Sequence, residues 1–163
     1  MQLTGSIVIS SLFSALVLAA PPKDCRAVNL GAQDNIVSTP NCGNIWTFEG
    51  MKRTCDCCGR KCHWSFTINT HEGEHALTPC EFITSASEGK PASQSPQTGV
   101  MCGDFRVMTG WSGQFGPGNG FTTLSVLRIR SREIAYPAYE DKTLGNGTVV
   151  TPDVRSKVEP VVL

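Results

Sequence analysis

His63-Trp64-Ser65-Phe66-Thr67-Ile68-Asn69 (HWSFTIN) decides the fold class. Trp64, Phe66 and Ile68 fall on one side and His63, Ser65 and Thr67 on the other, the period-two pattern of a strand with one buried face. The pattern recurs on both sides of this stretch. Asn44–Glu49 (NIWTFE) sets Trp46 beside Phe48, and Met101–Thr109 sets Phe105 beside Val107. Phe121–Ser131 predicts a long strand in which Leu124 and Val126 face one way and Leu127 and Ile129 the other. A β-bulge, or a strand shared between two sheets, accommodates such a switch of face. Glycine, proline and polar runs punctuate these segments. Gly110–Gly120 (GWSGQFGPGNG) and Ala86–Gly99 (ASEGKPASQSPQTG) read as exposed loops, and Gly145-Asn146-Gly147 as a turn. No segment carries sustained helical periodicity. The expected fold is all-β, a disulfide-stabilised two-sheet sandwich or small barrel with long loops.

The N-terminal MQLTGSIVISSLFSALVLAA contains no charged side chain and ends in the small residues Ala19 and Ala20. It reads as a signal peptide over 1–19, cleaved ahead of Pro21 and Pro22. The apolar run is too short, and too interrupted by Ser10, Ser11 and Ser14, to span a bilayer. The expectation is a single secreted, extracellular β-rich domain over 20–163, without membrane insertion and acting as a monomer. With 14 basic and 14 acidic residues the net charge is zero. That balance supplies no overall field to draw the chain to nucleic acid or to an anionic membrane.

Eight cysteines follow the leader: Cys25, Cys42, Cys55, Cys57, Cys58, Cys62, Cys80 and Cys102. In an exported chain an even count reads as a disulfide framework, here up to four bridges across 25–102 with 103–163 disulfide-free. Adjacent Cys57 and Cys58 are poorly placed to bond each other without strain. They are expected to tie the CDCCGRKC knot at Cys55–Cys62 to two other parts of the chain, with Cys42, Cys80 or Cys102 as the far ends. A zinc knuckle is the rival reading of the knot, and the oxidising secretory route favours disulfides over it.

His71-Glu72-Gly73-Glu74-His75 satisfies HExxH, which on a helix places two imidazoles one turn apart for zinc with the first Glu as general base. Here the segment follows a strand, carries Gly73 in its middle and is closed by Pro79, so it reads as a polar loop. His71 and His75 are thus the residues to watch for metal, and no metal, cofactor or catalytic residue is assigned. Trp111 and Phe115 in the glycine-rich loop offer a sugar- or protein-binding surface, or else a cap folded onto the sheet. Trp46 is a further aromatic for a sugar site. Arg128, Arg130 and Arg132 alternate, which on a strand would project a cationic stripe from one face. Asn146-Gly147-Thr148 is an N-glycosylation acceptor.

GFTTLSV at Gly120–Val126, IAYPAY at Ile134–Tyr139 and LGNGTVVTPD at Leu144–Asp153 carry a family likeness, together with the leader and the cysteine-rich first half. The chain resembles small secreted cysteine-rich proteins of filamentous ascomycetes, including the elicitor type that induces a hypersensitive response. The resemblance implies a fungal extracellular effector whose partner is a host protein or cell-wall component, and it implies no enzymatic residue. A carbohydrate-binding module built on Trp111 and Phe115, and a zinc-dependent hydrolase built on His71, Glu72 and His75, are the alternative readings.

Overall fold

In the alternating segments most inward residues are bulky and apolar, and burying them requires the sheet to curl back on itself. A computed structural model describes residues 44–87 and 89–161. The leader, Cys25 and Cys42 lie outside the described residues. Among the described residues nine antiparallel strands form one sheet: β1 (Ile45–Cys55), β2 (Lys61–Asn69), β3 (Leu77–Ser85), β4 (Gln97–Cys102), β5 (Phe105–Ser112), β6 (Phe121–Arg128), β7 (Glu133–Ala135), β8 (Ala138–Glu140) and β9 (Val154–Pro160). A single 3-10 turn at Ala92–Gln94 is the one helical element among the described residues. The fold is therefore all-β, and of the two expected architectures it is the barrel-like one.

The order around the sheet is β3-β2-β1-β9-β7-β6-β5-β4, with β8 on the same edge of β6 as β7. β9 joins the two halves, since Val154–Lys157 pair with Ile45–Phe48 of β1 and Val158–Pro160 pair with Glu133–Ala135 of β7. The path ends at β3 and β4, and no ladder joins them. The Cys80–Cys102 disulfide closes that gap instead, with Cα atoms 5.1 Å apart, helped by the Gln97 amide donating to the Ile83 carbonyl at 3.4 Å. Pro79 is tolerated in β3 because an edge strand need not offer every N–H to a neighbour.

The interior is lined with aromatic rings. Trp64 stacks on Phe82 at 5.8 Å, Phe82 meets Phe66 edge-on at 6.4 Å, and Phe66 lies 6.2 Å from Phe48. Trp46 meets Phe105 edge-on at 5.2 Å. Trp46 is fully buried, so it belongs to the core and not to a sugar site. The Tyr139 hydroxyl is buried with no hydrogen-bond partner among the described residues, and burial, reinforced by the Asp153 carboxylate, pushes its pKa above the ordinary tyrosine range.

Several expectations are corrected. β1 runs on to Cys55 because Gly50, at φ 61°, sits in a bulge between Glu49 and Lys52. Trp46 and Phe48 point inward before the bulge, and Met51 and Arg53 after it. Met101–Thr109 is not one strand but the hairpin of β4 and β5, turning at Gly103-Asp104. β6 needs no switch of face: it alternates through Val126 and ends at Arg128, leaving Ile129 exposed in the following turn. The stretch 86–99 contains the 3-10 turn with buried Ala92 and the start of β4. In the knot, Cys55 bonds Cys62 across the β1–β2 hairpin. Cys57 and Cys58 are exposed free thiols, so neither reaches Cys80 or Cys102, whose sulfurs bond each other.

The seam disulfide spans 22 residues and the hairpin disulfide 7. On a chain-entropy basis the first stabilises by about 3 kcal/mol and the second by about 2 kcal/mol. Urea unfolding should therefore show a larger loss for Cys80→Ala/Cys102→Ala than for Cys55→Ala/Cys62→Ala; equal losses would show that loop length does not set the contribution of these bonds.

Candidate functional site

The strand directions sort every candidate residue to one end of the barrel or the other. The β2–β3 loop, the β4–β5 turn and the β6–β7 turn gather at one end, called here the histidine end. The β1–β2 turn, the 3-10 turn, the β5–β6 glycine-rich loop and the 141–150 segment gather at the other, the thiol end. Trp111 and Phe115 belong to the thiol end and the three arginines to the histidine end, so they form no joint surface.

At the histidine end, HEGEH is a turn and not a helix. His71 (φ 59°) and Gly73 (φ 65°) are both left-handed, which a right-handed helix does not allow. The His71 N–H donates to the Asn69 side-chain oxygen at 2.9 Å, and its Nε2 lies 2.7 Å from the Thr47 hydroxyl. Glu72, the would-be general base, accepts from Arg128 Nη1 at 2.6 Å. His75 is exposed beside a small cleft that includes Thr78, Asp104 and Arg128. Among the described residues, no group of three His, Cys, Asp or Glu side chains is placed to hold a metal ion.

The arginine stripe is not formed, because only Arg128 lies on a strand. Its guanidinium sits 5.8 Å over the Phe105 ring, between Glu72 and Glu133. Arg130 and Arg132 follow in the turn, Arg130 beside Asp104 at 3.6 Å and Arg132 at φ 55°.

At the thiol end, β5 continues through Trp111, and the glycine-rich loop folds over the indole. Cβ atoms added at Gly113 and Gly120 would stand 2.5 Å and 2.8 Å from its ring, so only glycine permits this approach. Trp111 Nε1 donates to Asp141 Oδ2 at 2.7 Å, and Asp141 Oδ1 accepts from Arg53 Nη1 at 3.1 Å. Arg53 is buried, lies 5.4 Å over the Trp64 ring and also donates to the Leu144 and Ser93 carbonyls. Trp111 is therefore fastened down, and Phe115 is the aromatic presented to solvent, 65% exposed and tilted against Phe121 at 5.6 Å. The two phenylalanines border a cleft of about 480 Å³ with Asn119, Glu140 and Lys142. Asn146 uses its amide twice on Cys55, accepting from its N–H at 2.6 Å and donating to its carbonyl at 3.2 Å. The Arg53–Asp141 pair left no trace in the sequence, since 88 residues separate its members and neither sits in a motif.

Fold and site together define a disulfide-closed β-barrel that carries its reactive and aromatic groups on loops at its two ends. A family model described as Effector TSP1 matches residues 47–161, from β1 through β9. A curated relative, Effector TSP1 of Hypocrea virens (strain Gv29-8 / FGSC 10586), is 33% identical over 153 residues, covering 94% of this chain and 94% of the relative. The chain belongs to the Effector TSP1 family. The likeness to fungal effectors read from GFTTLSV, IAYPAY and LGNGTVVTPD thus holds at the level of the family.

Asp141→Ala would strand the Arg53 guanidinium, whose side chain is 9% exposed. With Asp141 itself partly exposed, the expected loss is about 2–3 kcal/mol, below that of a fully buried pair. Chemical denaturation measures it, and a changed Trp111 emission should accompany it; unchanged stability would show that the pair is not a strut. Protein purified without chelator should hold no stoichiometric zinc, and His75→Ala should leave metal content unchanged; bound zinc lost on that substitution would restore the hydrolase reading.

Proposed function

We propose that this chain is a secreted effector that acts in the extracellular space of a plant host by contacting a host protein, without catalysing a reaction. The match to the effector family over residues 47–161 carries the reading. Three further features support it. The N-terminal 1–19 has the composition of a cleaved leader. Two disulfides pin the barrel, as suits a protein working in an oxidising space. The exposed surface at the thiol end is an aromatic residue on a loop held by a rigid sheet, the usual arrangement of a recognition surface. Effector-family membership also favours a non-enzymatic role, and no helix among the described residues is long and apolar enough to cross a membrane.

Infiltrating the purified protein into leaf tissue should produce a localised defence response, and Phe115→Ser should weaken it while leaving the unfolding midpoint unchanged. No response at any dose in any host would reject the elicitor role. Retention on chitin, cellulose or β-glucan that disappears in Phe115→Ser would replace the protein partner with a wall polysaccharide.

A further inference from the structure

Cys57 and Cys58 are the only described cysteines outside a disulfide, and both are exposed with their Sγ atoms 3.6 Å apart. The turn that carries them is firmly built. The Asp56 carboxylate accepts from the N–H groups of Cys58 at 3.2 Å, Arg60 at 2.8 Å and Lys61 at 3.2 Å. Directly below, the Cys55–Cys62 disulfide closes the hairpin, with Cys62 fully buried.

Neither sulfur is taken up by the disulfides beside it, Cys55–Cys62 and Cys80–Cys102, so both thiols of the pair are left for chemistry with another molecule.

We propose that Cys57 and Cys58 form a thiol–disulfide exchange site that takes low-molecular-weight disulfides, of which oxidised glutathione is the probe. One thiolate attacks a sulfur of the disulfide RSSR, forming a mixed disulfide and releasing RS⁻. The neighbouring thiolate, already within 3.6 Å, attacks the protein sulfur of that mixed disulfide, closes the Cys57–Cys58 bond and releases the second RS⁻. The two thiol protons end on the two released thiolates, so one dithiol is oxidised as one disulfide is reduced to two RSH. A ring between adjacent cysteines is strained, and strained or exposed disulfides are the easily reduced ones, so the step reverses with excess thiol. The buried Cys62 sulfur is shielded from the same exchange.

The full chain is alkylated with iodoacetamide without reductant, before and after oxidised glutathione, and mapped by peptide mass. A label on each of Cys57 and Cys58 is expected before treatment. Afterwards both labels should be lost with no glutathione retained, and excess thiol should restore them. Cys57→Ser and Cys58→Ser should each stop at the mixed disulfide and keep one glutathione. A native disulfide from Cys25 to either residue would overturn the proposal, as would wild-type protein that keeps glutathione on both cysteines.

Discussion

The bond between Cys80 and Cys102 is the constraint on which the barrel depends. β3 and β4 are the two ends of the strand order, and an open sheet leaves both edges with unpaired backbone groups. Most barrels remove that problem with a last hydrogen-bonded ladder. Here a covalent bond spans the gap, joined by the hydrogen bond from the Gln97 amide to the Ile83 carbonyl. The aromatic interior leans on this closure from both sides. Phe82 stacks on Trp64 from edge strand β3, while Phe105 meets Trp46 from β5, next to the other edge. Opening the seam would wet both flanks of the core at once.

The second constraint is electrostatic and works at one end. Arg53 enters the interior only because the bulge at Gly50 changes which face of β1 its residue lies on. Once there, its charge needs a partner, since an unpaired buried cation is far more costly than an exposed one. Asp141 supplies that partner and at the same time holds Trp111, so one carboxylate ties β1, β5 and the 141–150 segment together. Gly113 and Gly120 then let the loop close over the indole. Deviations from regular alternation are what make this end rigid.

Those deviations also mark where the sequence stopped being legible. Period-two alternation identified β2 from His63 onward, because Trp64, Phe66 and Ile68 are separated by polar residues with no interruption, and missed only Lys61 and Cys62. It placed the start of β1 and lost its end, because the bulge reverses the parity between Phe48 and Met51. β3, β7, β8 and β9 were missed: β3 buries Cys80, Phe82 and Thr84 in alternation but carries Pro79, which argues against a strand, β7 and β8 are three residues long, and β9 (VRSKVEP) buries one residue. The arginine alternation misled for the converse reason. Residues two apart share a face only while the chain remains extended, and it turns after Arg128. For the cysteines, composition gave their number and pairing remained spatial: Cys55 and Cys62 meet because a hairpin folds between them, which leaves Cys57 and Cys58 at its tip.

The two ends consequently differ in kind. At the histidine end several polar groups are spent on one another: Glu72 and Glu133 flank Arg128, Thr47 engages His71, and Asn44 donates to Glu133 at 3.1 Å. Groups already paired have little to offer an incoming ligand without first breaking those pairs. At the thiol end the internal bonds are spent on holding loops in place, through Asp56, Asp141 and Asn146. What is held there, the Phe115 ring and the adjacent thiols of Cys57 and Cys58, is left exposed. A scaffold that fixes its loops with backbone-directed hydrogen bonds lowers the entropy cost of presenting side chains to a partner. By that reasoning the thiol end is the one left free to present side chains, and the HExxH spelling at the other end is a consequence of a tight turn between two strands.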